Sequence, residues 1–230
     1  DLDFSIIREL PPGRKQIKTF LMGENKRLSL FKFLKEQIEF GKQIFIVYPL
    51  IEESQKMDYK DLMDGYESIC REFPLPKYKI SVMHGKMKTE DKDYEMKRFL
   101  EGKSQIMVST TVIEVGVNIP NANVMVIESA ERFGLSQLHQ LRGRVGRSNK
   151  QSFCILMKGE KISKDANLRL ATMKNTSDGF EIAEVDLKLR GPGDIAGTLQ
   201  SGLVKLKIAD LVKDKEILKV ARNYAKILVN

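Results

Sequence analysis

Only two cysteines, Cys70 and Cys154, occur in 230 residues, far apart and with no Cys-x-x-Cys, and only His84 and His139 could join them. Neither a disulfide nor a zinc site is supported, no metal-ligating set is expected, and both cysteines are expected to be small buried side chains. No apolar run approaches the roughly 18 residues of a membrane span. The first residues, DLDFSIIREL, lack the basic-then-apolar order of a secretory signal. A cytoplasmic protein with no membrane partner is the expectation. A nucleoside-triphosphate motor needs Gly-x-x-x-x-Gly-Lys-Ser/Thr to cradle phosphates and carboxylates to hold magnesium, and this chain has no such loop. Its only Gly-Lys-Ser, Gly102–Ser104, has Lys97 where the first glycine belongs and precedes a strand instead of following one. Alone, the chain is not expected to hydrolyse ATP.

What is present suffices for a sizeable core. At 42% hydrophobic, one domain of ordinary size plus an appendage is expected. The net charge of +8 is unevenly placed: residues 1–130 hold 20 basic and 20 acidic side chains, residues 131–230 hold 19 and 11. The second part is therefore the candidate polyanion-facing half, with an ordinary solvated surface as the alternative.

Strand and helix signals alternate over most of the chain. Pro11-Pro12-Gly13 makes a turn before Arg14–Met22, where Ile17, Thr19 and Leu21 alternate as in a strand. Leu28, Phe31, Leu34 and Ile38 recur at helical spacing before a stop at Gly41. Strands are expected at 43–48, 79–83, 104–109, 123–128 and 151–157, the last burying Phe153, Cys154 and Ile155. Helices are expected at about 59–73, 89–100 and from 135, where Leu135, Leu138 and Leu141 pack inward. Continuous apolar strands between helices imply an α/β fold with a parallel sheet covered on both faces. The alternation ends at Lys158, and two helices, 162–175 and 180–190, follow. Arg190–Gly202, RGPGDIAGTLQSG, then carries four glycines and a proline and reads as a shaped loop. In the terminal helices, Ile217, Val220, Tyr224 and Leu228 share one face and Lys219, Arg222 and Lys226 the other.

The densest chemistry is Gln137–Ser148, QLHQLRGRVGRS, which reads Gln-x-x-Gly-Arg-x-Gly-Arg from Gln140 to Arg147. Arg144 and Arg147 are permanent cations with planar donor forks suited to phosphate. Gly143 and Gly146 are expected to let the backbone approach a ligand closely. The pair is expected at an open cleft on the carboxyl edge of the sheet. His84-Gly85, Pro49–Ser54 (PLIEES) and Ser109-Thr110-Thr111 each follow a strand, where open α/β sheets present their ligands. A short helix is expected over Val112–Gly116, its hydroxyls and free backbone donors suited to a phosphate.

The Gln-x-x-Gly-Arg-x-Gly-Arg pattern resembles the last motif of superfamily 2 helicases, whose second motor lobe supplies arginines to ATP bound on the first. STTVIEVGVNIPNANVMVIESAERFGLSQLHQLRGRVGRS is similar to the second motor lobe of RecG-type helicases, and DGFEIAEVDLKLRGPGDIAGTLQSG resembles the translocation motif these share with the transcription-repair coupling translocase. The resemblance implies a RecA-like lobe over 1–158, with 1–13 an extension from a preceding lobe, and a helical hairpin, translocation loop and terminal helix over 159–230. It makes the chain part of a longer bacterial polypeptide that regresses stalled forks and drives branch migration. Arg144 and Arg147 would be catalytic; Gln140, Gly143, Gly116 and Asn118 would face ATP; and Thr110, Thr111, His84, Arg190 and Gln200 would contact DNA or couple to it. ATP with Mg2+ would be held mainly by the first motor lobe, the partners would be that lobe and branched or forked double-stranded DNA, and the protein would be a monomer. Asn118 stands where the family has Asp, which weakens any contact to ribose or to the arginines. Two alternatives stay open: the coupling translocase, ranked lower on LIEES and RELPPGR, and a noncatalytic nucleic-acid-binding module derived from such a lobe.

Overall fold

A computed structural model describes residues 15–49, 55–110, 119, 121–146, 149–190, 217, 220 and 224, the side chains of 55–61 and 190 excepted. Thr111, the segment 112–116, Asn118, Arg147, Gln200 and the turn 50–54 lie outside the described residues. Six strands, β1 (Lys18–Gly23), β2 (Gln43–Tyr48), β3 (Ile80–Met83), β4 (Ile106–Thr110), β5 (Ala122–Ile127) and β6 (Phe153–Lys158), form one sheet in the order β1-β6-β5-β2-β4-β3. Every pairing is parallel. The helices are α1 (Arg27–Glu39), α2 (Gln55–Glu72), α3 (Thr89–Leu100), α4 (Leu135–Arg142), α5 (Lys164–Asn175) and α6 (Gly179–Arg190). This is the RecA-like arrangement the sequence implied.

The apolar strands of the centre are consumed on both faces. Ile44, Ile46, Ile106, Val108, Val124 and Val126 pack under α1 and α2. On the other face Phe45 meets Phe99 of α3, ring centroids 4.9 Å apart, and α4 buries Leu135, Leu138 and Leu141. Each fully buried side chain of this size contributes roughly 1.5–3 kcal/mol, which is why β4 and β5 carry no exposed residue.

α1 ends where expected, with Gly41 at φ 72°, and Phe31, Leu34 and Ile38 of the stripe read from spacing face the core, but Leu28 does not. Leu28 is 80% exposed, whereas Leu30, Phe31, Leu34 and Gln37 are buried. α2 begins earlier than its apolar signal. It carries Gly65 mid-helix, because a Cβ there would lie 2.3 Å from the Tyr48 ring. Cys154 is buried, but Cys70 is only half-buried. Phe153 is half-buried too, stacked on the ring of Phe20 and edge-on to that of Phe33 at the outer part of the sheet. Ser163 caps α5 by accepting from the Ala166 N–H at 3.1 Å. By packing, the chain divides into 1–186 and 187–230. In the second unit Ile217, Val220 and Tyr224 are helical and exposed. No described helix is long and apolar enough to cross a membrane.

Candidate functional site at the two edges of the sheet

Because all six strands run one way, the sheet has a carboxyl edge and an amino edge, and the candidate residues divide between them. At the carboxyl edge, register builds a polar row on the α1/α2 face. Tyr48 is paired with Thr110, and one step beyond the Val47/Ile127 and Met83/Ser109 partners come Glu128 and His84. The Thr110 Oγ1 and Ser109 Oγ are buried without a hydrogen-bond partner among the described residues. His84 is half-buried, and burial, followed by Lys86 and Lys92, lowers its pKa. Burial first, then the Glu128 charge, pushes the Tyr48 hydroxyl well up, so it stays a protonated donor.

β2 and β5 are neighbours whose following helices lie on opposite faces, α2 on the first and α4 on the second. Such a switch point opens a crevice outside the strand ends. A cavity of about 290 Å³ occupies it, lined by Arg27, Tyr48, Asp64, Ser68, Glu128 and Ser129 among others. Arg27 donates to both Glu128 oxygens at 2.8 Å and to both Glu24 oxygens at 2.7 and 2.6 Å. Ser129 adopts a left-handed conformation, φ 47° and ψ 48°, a strain of about 1–3 kcal/mol that the surrounding bonds must hold. The sequence reading missed this crevice. Its one local trace was a glycine inside a helix, Gly65, whose reason is the ring of Tyr48.

The arginine turn lies at the amino edge, contrary to the expectation of a carboxyl-edge cleft. α4 leaves β5 at the carboxyl edge and runs back, so 143–146 and 149–152 sit where β6 begins. Gly146, at φ 78°, would place a Cβ 2.9 Å from Ile17 Cγ1, just ahead of β1, and Gln151 donates to the Gln16 carbonyl at 2.9 Å. The missing Cβ at Gly146 therefore admits Ile17, not a ligand. Gly143 caps α4 with ordinary helical angles. Arg144 is half-exposed, and among the described residues its guanidinium has no hydrogen-bond or ion-pair partner. Gln140 is exposed on the last turn of α4.

Arg142, two residues before Arg144 in the same stretch, has a different role. It is 4% exposed and donates to the Met173 and Thr176 carbonyls at 2.8 Å, with His139 Nδ1 at 3.1 Å. These are the free carbonyls at the end of α5, which a cation satisfies well. Arg169 of α5 answers by donating to the Glu131 carbonyl at 2.9 Å. α5 is thus tied to the last residue of α4 and to the segment that leads into it. Of Arg190, only its place as the last residue of α6 is described.

Comparison with known proteins fits this geometry. The helicase conserved C-terminal domain profile matches residues 25–149, and that of ATP-dependent DNA helicase RecG, domain 3, C-terminal, matches 176–230. The chain is 47% identical over its full length to the ATP-dependent DNA helicase RecG of Synechocystis and 48% identical to that of Bacillus subtilis, covering 27% and 33% of those proteins. It is similar to a structure of RecG bound to a three-way DNA junction at TM-score 0.70 and 45% identity, over 91% of this chain and 26% of that one. The second domain of the DEAD-box helicase Mss116p, 17% identical at TM-score 0.50, shares the fold. The chain thus spans about a quarter to a third of the length of the RecG proteins it matches. On these matches, the chain belongs to the helicase conserved C-terminal domain family, in its RecG branch.

Proposed function

We propose that this chain is the second motor lobe and translocation element of an ATP-dependent double-stranded DNA helicase that drives branch migration and regresses stalled forks. The observation that carries the reading is Arg144: a cation without a partner among the described residues, on a turn whose shape Gly146 sets. A guanidinium that no described residue engages suits a partner that arrives from elsewhere. Bound ATP supplies the phosphoanhydride whose cleavage drives movement, with Mg2+ held mainly by the first motor lobe of the same polypeptide. Arg144 and Arg147 neutralise charge on the γ-phosphate, while Gln140, Gly143, Gly116 and Asn118 line the nucleotide side. At the opposite edge Thr110, Thr111 and His84 face the DNA backbone. The buried, partnerless hydroxyl of Thr110 fits a phosphate acceptor. Arg190 and Gln200 belong to the coupling element.

The functional division falls at 158/159, a motor lobe followed by a hairpin and loop, even though α5 and most of α6 pack with the first unit. The substrate is branched or forked duplex DNA, and the protein works as a cytoplasmic monomer.

The test is made in the full-length protein. Arg144→Ala or Arg147→Ala lowers DNA-stimulated ATP turnover about a thousandfold and leaves junction affinity within about twofold, since neither side chain is assigned a DNA contact. Retained turnover refutes the motor reading.

A further inference from the structure

The segment 128–134 carries the chain from the carboxyl end of β5 to the first residue of α4, and it is held at every step. The Glu128 N–H donates to the Val47 carbonyl at 2.8 Å. Ser129 turns left-handed, the Glu131 carbonyl accepts from Arg169, its carboxylate accepts from the Gly159 N–H at 3.3 Å, and the Gly134 N–H donates to Gln137 Oε1 at 3.0 Å. These ties come from strands and from the α4/α5 side. From the α1/α2 face, Arg27 at the first position of α1 ties the start of this segment. It grips the buried Glu128 carboxylate through two bonds of 2.8 Å while Glu24 holds the rest of the guanidinium.

A buried ion pair adds little net stability, because desolvating both charges offsets their attraction. What a bidentate fork does supply is orientation. Here it orients the root of α4, an eight-residue helix about 12 Å long that ends in the turn bearing Arg144. A rigid helix passes a tilt at its root on to its tip. An error of about 1 Å in a group meeting a transition state costs on the order of a hundredfold.

We propose that Arg27, acting through Glu128, is a positioning residue for ATP hydrolysis, setting α4 so that Arg144 meets the γ-phosphate in the transition state. This rests on the motor reading above. Arg27 itself touches neither nucleotide nor DNA. Its effect belongs to the transition state and not to ground-state binding.

The experiment measures, in full-length protein with a three-way junction DNA present, the dissociation constants of Mg·ADP and of Mg·ADP with aluminium fluoride, which stands in for the phosphoryl group in transit. Both are properties of folded molecules, so a loss of folded fraction moves neither. For Arg27→Met the ADP constant stays within about twofold and the aluminium fluoride complex weakens about tenfold or more. Arg27→Lys, which keeps the charge without the fork, falls between. Arg27→Met/Glu128→Leu removes both charges, so it folds even if the single variant does not, and it shows the same selective loss. Equal weakening of both ligands, or weakening of neither, overturns the proposal. Arg144→Ala separates the two layers: if it leaves the aluminium fluoride complex intact, the motor reading itself fails. If it abolishes that complex while the Arg27 variants keep it, only the positioning role fails.

Discussion

The two edges of the same sheet are finished in opposite ways. The amino edge is closed by packing: Ile17 fills the space beside Gly146, Gln151 holds the Gln16 carbonyl, and Gln43 donates to the Phe99 and Ser104 carbonyls at 2.6 and 2.8 Å. From this sealed surface Arg144 projects without a partner among the described residues. The carboxyl edge carries a cavity at the β5/β2 switch point and buried hydroxyls on Ser109 and Thr110 that no described residue satisfies. Hydroxyls at the carboxyl edge and a guanidinium at the amino edge, none engaged by a described residue, suit two separate ligands. α4, which runs between the edges and is clipped to α5, is the element both can bias.

That contrast can be broken in four places, taken here from the largest expected effect to the smallest. Arg142→Met removes the donor from two carbonyls at the end of α5, so urea unfolding should show a loss of about 2–4 kcal/mol. A loss under about 0.5 kcal/mol would mean that the clip between α4 and α5 is ornamental. Gly65→Ala gains about 1 kcal/mol of helix propensity but drives a Cβ into the Tyr48 ring. Overpacking costs about 1–3 kcal/mol, so a lowered melting temperature is expected, and Gly65→Ala/Tyr48→Leu should recover it. Thr110→Val exchanges an unsatisfied hydroxyl for a methyl and should leave stability unchanged or raise it by about 1 kcal/mol, while DNA-stimulated turnover falls. A clear destabilisation would show that this hydroxyl serves the fold and not a ligand.

The smallest effect concerns pH. Burial, then the Arg142 charge, lowers the His139 pKa below its ordinary value of 6.5. The folded protein therefore binds fewer protons at that ring than the unfolded chain does. The associated stability is present above 6.5 and is lost as pH falls toward the depressed folded value. A protonated ring also cannot accept from Arg142 Nη2. Melting temperature should fall on acidification, and fall less in His139→Gln; identical slopes for the two proteins would exclude the ring as the source.

How much of this was legible depends on range. β2 at Gln43–Tyr48 and α3 at Thr89–Leu100 were readable with their bounds, because a buried parallel strand is a continuous apolar run and α3 lies between a turn and a Gly102 stop. α2 was read late, since the signal of its first turn is polar. Leu28 was assigned inward on spacing alone, but Leu30, two positions on, took the core place. A helix with apolar residues at 28, 30, 31, 33, 34 and 38 has more than one stripe to offer, and only the sheet beneath it selects. The arginine turn was legible as chemistry but misplaced in space, because the rule that ligands gather at the carboxyl edge describes ligands a sheet holds for itself.

By itself the sequence determined the class of fold, the order of strands and helices, and the residues with phosphate chemistry, because periodicity, turn residues and donor geometry are local properties of a chain. Tertiary structure alone decided which edge the described ones among them occupy, that Arg142 is spent on α5 while Arg144 has no partner among the described residues, and that Arg27 meets Glu128 across 101 positions. Those facts follow from strand order and register, which set what lies beside what and are written in no single stretch of residues.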